Sequence, residues 1–209
     1  AVEDWARATR DAFGKVNVII NNAGVSLGGV IEDLSWEDFQ WIMNINFWGV
    51  VHGTRAFLPY LRESGEGHVV NVSSLFGLMA MPGSGAYNAS KFAVRGFTEA
   101  LNEELSIEGA PVKVTSVHPG GVATNIARGG RVTPNKAWGL VDSETAGREF
   151  EKFARTKPEQ AARQIVEAIL NDRERLLIGN DARLFDLMQR LMPVRYQSVV
   201  KQVVKRQRP

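Results

Sequence analysis

The sequence predicts an α/β fold: a parallel sheet, doubly wound, with helices on both faces in three layers. Two observations predict it. Short, almost wholly apolar runs near residues 16–20, 68–72, 112–117 and 175–179 end in turn-forming residues, as strands buried on both faces of a parallel sheet do. Amphipathic stretches long enough to be crossover helices lie between them, and such alternation belongs to doubly wound sheets whose sites open at the strands' carboxyl ends. At 209 residues the chain fits one domain with a sizeable core, residues 1–209, with a helical tail over 181–209.

Taken in order, Val2, Trp5, Ala6, Thr9, Ala12 and Phe13 recur at helical spacing, and Gly14 closes that helix. The first residue is alanine and the pattern is already under way there, so the chain reads as N-terminally incomplete. The strand at 16–20 runs into Asn21-Asn22-Ala23-Gly24, residue types that tolerate left-handed backbone and suit a turn. Ser35-Trp36-Glu37-Asp38 resembles a capping box. It predicts one helix to about Arg62, with Phe39, Ile42, Met43, Asn46, Val50, Gly53, Phe57 and Tyr60 inward. Asn46 sits in the middle of this stripe; a buried amide needs hydrogen-bond partners, so it either satisfies backbone locally or belongs to a site.

The strand at 68–72 runs out into Ser73-Ser74. A long helix from Tyr87 to about Ile107 places Tyr87, Lys91, Val94, Thr98, Leu101 and Leu105 on one face and the small residues Ala89, Ala93, Gly96 and Ala100 on another. The small face permits close packing, within the domain or across a subunit boundary. Gly109-Ala110-Pro111 breaks the helix. The strand at 112–117 leads into His118-Pro119-Gly120-Gly121-Val122-Ala123-Thr124. Residues 125–147, with Arg128, Gly129, Gly130, Arg131, Thr133 and Pro134, read as a mobile, lid-like loop. Pro158 opens a helix with Ala161, Ile165, Ala168 and Ile169 inward. The tail carries Leu184, Leu187, Met188 and Leu191, then Val199, Val200, Val203 and Val204 among Lys201, Lys205, Arg206 and Arg208. A solvated helix end or a subunit contact is the favoured reading of it, ahead of a membrane surface.

Charged residues make up 23 % and leave a net +2, a balance that announces no nucleic-acid partner. There is no cysteine, and His52, His68 and His118 show no ligand spacing, so neither thiolate chemistry nor a metal is expected. No run reaches the ~18 apolar residues of a membrane span, and the start is not signal-like. A soluble, cytoplasmic protein is expected.

Tyr87 and Lys91 stand one helical turn apart on a stripe that is otherwise mostly apolar. Either Lys91 snorkels to solvent beside an ordinary aromatic, or its charge favours phenolate and makes Tyr87 an acid/base. Ser74 at the strand mouth would then hold a carbonyl or hydroxyl oxygen against the phenol.

Ser74, Tyr87 thirteen residues on and then Lys91 resemble the catalytic signature of the short-chain dehydrogenase/reductase family. The resemblance extends through Asn21-Asn22-Ala23-Gly24, Asn46-Phe47-Trp48-Gly49 and the turn from Pro119 to Thr124, and covers roughly residues 2–179. It implies a Rossmann-like fold, NAD or NADP as cofactor, and a secondary alcohol or ketone as substrate. It implies that Tyr87 exchanges the proton, Lys91 lowers its pKa and contacts the ribose, Ser74 fixes the oxygen, and Asn46 holds a water in the proton path. Asn22, Ala23, Gly24, Pro119, Gly120, Val122 and Thr124, with Tyr87 and Lys91, are the implied cofactor contacts. Residues 125–147 would cover the substrate, and the two long helices would form a homodimer or homotetramer interface. The family's first βαβ unit and glycine-rich phosphate loop are not found, since no GxxxGxG string occurs in these 209 residues. Leu75, Phe76, Leu78, Met79 and Met81, with Val25 and Leu27, suggest an apolar pocket. The competing class is a non-catalytic fragment or scaffold that keeps these residues without using them.

Overall fold

The computed structural model describes residues 1–207; Arg208 and Pro209 of the expected tail lie outside the described residues. Four parallel strands, β1 (Val18–Asn21), β3 (Gly67–Val72), β4 (Val112–Pro119) and β6 (Arg175–Ile178), lie in that order in one sheet. Helices α1 (Val2–Phe13), α3 (Gly49–Glu63) and α4 (Gly85–Ile107) cover one face and α6 (Pro158–Leu170) the other. Side chains alternate along each strand. Ile19, Val69, Val112 and Val114 therefore pack against Ala6, Phe57, Leu61, Leu101 and Leu105. On the opposite face Val70, Val117, Leu176 and Ile178 pack against Ala161 and Ala168.

The first strand differs from expectation. β1 is an edge strand buried on one face only: Ile19 is in the core, whereas Val18 and Ile20 are 39 % and 44 % exposed. The cause is placement, because α6 lies over β4 and β6 and does not reach β1.

The single helix expected up to Arg62 is interrupted. Ser35 accepts from the Asp38 amide and opens α2 (Trp36–Met43), but Asn44–Trp48 winds as a π turn in which the Gly49 amide reaches back to the Asn44 carbonyl. One extra residue in a turn of this kind commonly marks a site.

Residues 125–147 are not a free loop either. β5 (Arg131–Val132) pairs with β2 (Leu27–Gly28), and α5 (Ser143–Phe153) opens on Asp142, whose carboxylate accepts from the Thr145 amide at 2.7 Å. Arg131 bonds Asp38 at 2.7 Å and lies 4.1 Å over the Trp41 ring, and Asn135 donates to Asp33 at 2.7 Å. The strap is fastened to α2 by charge and stacking.

The tail is two helices, α7 (Asn180–Leu191) and α8 (Tyr196–Gln207), the second docked: Tyr196 and Val200 are buried against Leu75 and Met79, and the Tyr196 hydroxyl accepts from the Ala80 amide at 3.2 Å. This corrects the expected pocket. Leu75, Leu78 and Met79 are core, Leu27 packs with Ile42 and Ala86, and only Val25, Phe76 and Met81 of that set keep partial exposure. Among the described residues no helix is long and apolar enough to cross a membrane, and no acidic or histidine cluster could hold a metal.

Candidate active site

Three strand exits meet at one edge of the sheet: Asn21-Asn22 after β1, Ser73-Ser74 after β3 and Pro119-Gly120 within and after β4. Behind them runs a buried polar ladder. Asn21 donates to Asn71, its register partner, at 2.8 Å and to Thr54 at 3.1 Å; Asn71 donates to Thr98 at 3.0 Å, and Thr98 to the Val94 carbonyl at 2.6 Å. Every buried amide here has a partner, which ties β1 and β3 to α3 and α4. Gly53 makes it possible, because a methyl there would overlap the Asn21 side-chain oxygen.

Asn46, fully buried on the π turn, spends its side chain on structure. Its Oδ1 accepts from the Val25 amide at 2.8 Å; its Nδ2 donates to the Val25 carbonyl at 2.9 Å and to Ser90 Oγ at 3.1 Å. Ser90 Oγ donates to the Tyr87 carbonyl at 2.8 Å. Asn46 thus clamps the turn after β1 onto the start of α4. Gly24 in that turn comes so close that a Cβ would lie 3.3 Å from Asn46 Oδ1 and 3.4 Å from Lys91 Nζ.

Lys91 does not snorkel. It is 3 % exposed and Nζ donates inward to the Val72 carbonyl at 3.0 Å. Burial lowers its pKa to about 8. The Ser73 hydroxyl donates to the Lys91 carbonyl at 2.8 Å, locking α4 to the strand exit. Tyr87 is half-buried with Phe76 edge-on to its ring at 6.0 Å, and Lys91 Nζ is 5.8 Å from the ring centre. The expected lowering of the phenol does not emerge: burial raises the Tyr87 pKa, and a hydrogen bond with Ser74 opposes the rise. Desolvation of the phenol outweighs the Ser74 hydrogen bond, and the Lys91 ammonium is turned to the Val72 carbonyl.

Ser74 Oγ accepts from the Phe76 amide at 3.0 Å, and the same hydroxyl hydrogen-bonds the Tyr87 phenol. Its carbonyl accepts from the Gly77 amide at 3.0 Å and from His118 Nδ1 at 3.2 Å. Of the remaining expected residues, Asn22, Ala23 and Thr124 are exposed and Pro119, Gly120 and Val122 partly so, on the two turns flanking Ser74. Two unpredicted residues hold the second turn. Asp181 accepts from the Gly121 amide at 2.6 Å, and the Thr156 backbone pairs with Gly121 and Ala123 at 3.1 and 2.9 Å. Neither offered a sequence signal beyond Asp181 opening a helix next to a strand end.

A family model described as short chain dehydrogenase matches residues 1–134. The chain is 44 % identical over 201 residues to "Putative oxidoreductase SadH" of Mycobacterium tuberculosis, spanning 96 % of this chain and 71 % of that one. It is 45 % identical over 107 residues to a "3-ketodihydrosphingosine reductase" of Bacteroides thetaiotaomicron, spanning 51 % of this chain and 39 % of that one. A crystal structure of a short chain dehydrogenase/reductase from Burkholderia phymatum in complex with NAD superposes with a TM-score of 0.78 at 32 % identity, covering 96 % of this chain and 72 % of that one. One from Burkholderia cenocepacia in complex with NADP gives 0.72 at 25 %, covering 97 % and 74 %.

Proposed function

The chain belongs to the short-chain dehydrogenase family, and from that premise we propose that it interconverts a secondary alcohol and a ketone with NAD or NADP. The observation that carries this reading is the convergence of Ser74, Tyr87 and Lys91 beneath the Gly24 turn at one sheet edge. The donor set suits the nicotinamide end of a dinucleotide: a buried ammonium for ribose hydroxyls, the Asn22 amide and Thr124 hydroxyl on exposed turns, and at Gly24 a surface that a side chain would fill. When bound, the nicotinamide ring supplies or takes up the hydride.

The protein's part is to hold the oxygen and move its proton. Tyr87 gives a proton to the ketone oxygen in reduction and takes it from the alcohol in oxidation. Ser74, whose hydroxyl hydrogen-bonds Tyr87, turns that proton to the substrate oxygen and fixes its position. With a pKa of about 8, Lys91 is mostly charged at neutral pH, and its ammonium would hold the ribose hydroxyls of the cofactor. Asn46, through Val25 and Ser90, keeps the Gly24 turn and Tyr87 in register. The partly exposed Phe76, edge-on to the Tyr87 ring, favours an apolar ketone, and similarity to a keto-reductase supports a ketone.

The test is a panel of aliphatic and aryl ketones with NADH and NADPH, read by loss of reduced nicotinamide and by nicotinamide fluorescence. Turnover with one of the two cofactors is expected; neither binding nor turnover with either overturns the reading.

We infer the same chain assembles as a homodimer or homotetramer. Trp48 (47 %) and Phe92 (40 %) are exposed, and Phe92 shares a face of α4 with the exposed Ala89 and with Gly96, where an added methyl would meet open space. Light scattering should give at least twice the chain mass, and a monomer would refute the inference.

A further inference from the structure

We propose that His118 is a positioning residue: as a neutral imidazole it holds the Ser74 carbonyl and thereby fixes the serine hydroxyl at the reaction centre. The backbone pairing of β3 with β4 ends where the Ser73 amide donates to the Val117 carbonyl at 2.8 Å. Ser74 lies one residue past that last rung. The link there is a side chain: His118, fully buried, places Nδ1 3.2 Å from the Ser74 carbonyl oxygen.

The protonation state follows from the partners. A carbonyl oxygen only accepts, so Nδ1 carries the hydrogen. Nε2 lies 2.9 Å from Ser116 Oγ and, in a neutral ring, accepts from that hydroxyl. Burial lowers the pKa to about 4, which keeps the ring neutral over the working range. Ser116, His118 and Ser74 form a directed chain across two strands. The Phe76 amide holds the serine Oγ and the Gly77 amide shares its carbonyl, so removing His118 leaves the Ser74 carbonyl tethered from one side, by its own following turn.

This inference rests on the reading that Ser74 holds the substrate oxygen, and its test separates the two. His118→Leu should fold with nicotinamide affinity unchanged but kcat reduced roughly 10- to 100-fold, because a displaced positioning group costs rate rather than binding. His118→Asn keeps an N–H near the place of Nδ1 and should recover most of the loss. Imidazole nitrogen NMR of the wild type should show His118 as the neutral Nδ1–H tautomer down to about pH 5. A well-folded leucine variant with kcat within about twofold of wild type would overturn the proposal. So would an Nε2–H tautomer, or an asparagine variant no better than leucine. If the leucine variant does not fold, the asparagine variant and the tautomer decide. If the wild type turns over no ketone, the functional reading fails, while the tautomer still decides the His118–Ser74 bond.

Discussion

Lys91 Nζ lies 5.8 Å from the centre of the Tyr87 ring while donating to the Val72 carbonyl at 3.0 Å. A charge is therefore held against a phenol by a backbone oxygen, out of water, at a cost in stability.

That cost has a pH signature. The Lys91 pKa falls from 10.5 to about 8 on burial, so between these values the unfolded chain binds a proton that the folded chain does not, and stability rises with pH. Below about pH 8 both states are charged and the penalty, about 3 kcal/mol, is constant. Tyr87 acts in the opposite sense above pH 10, its folded pKa being raised from 10.0. Lys91→Met should melt higher than wild type at pH 7, and the gap should shrink as pH climbs through the lysine window. Calorimetry across that range checks it; a gap independent of pH would refute it.

Tyr87→Phe removes one hydroxyl and no packing. Turnover should fall by about 10³-fold, within the range acid/base groups contribute, with the circular dichroism spectrum and nicotinamide affinity retained. Turnover near wild type would remove Tyr87 from the mechanism.

Gly53→Ala should destabilise the fold by about 2–4 kcal/mol, since the methyl drives Asn21 off Asn71 and Thr54 and breaks a buried polar ladder. Urea unfolding measures this. A loss below about 0.5 kcal/mol would mean that the ladder readily rearranges.

Arg131→Ala should leave global stability within about 1 kcal/mol, because the Asp38 pair is partly solvated. The strap should nevertheless loosen, with faster hydrogen exchange and proteolysis over residues 125–142 and a raised KM. Unchanged exchange there would mean that β5 and the Asn135–Asp33 bond fasten it without the arginine.

The motif residues were legible because their spacing is fixed by local geometry: Tyr87 and Lys91 share a face of any helix, and Ser74 ends any strand at 68–72. Contacts made by distant segments were not. Tyr196 buries Leu75 and Met79 from over a hundred residues away, and nothing in an apolar run distinguishes a pocket wall from a surface awaiting a helix. α5 was hidden by Gly147 within it and by the glycines and proline before it, which argue for loop locally. β1 read as doubly buried because Val18, Ile19 and Ile20 are all apolar, and only neighbour placement separates their fates. Asn46 was correctly singled out as a polar residue on an inward stripe, but its irregular turn leaves no trace in periodicity.

That irregularity has a geometric consequence. The π turn at Asn44–Trp48 seats Ile42 and Phe57 in separate apolar clusters while Asn46 stays against Val25. Excising one residue there would let the coil wind smoothly, yet would swing everything after it by about 100°. The less comfortable winding keeps two halves of one rod in phase with different neighbours, and a shorter, tidier version would be out of step with both.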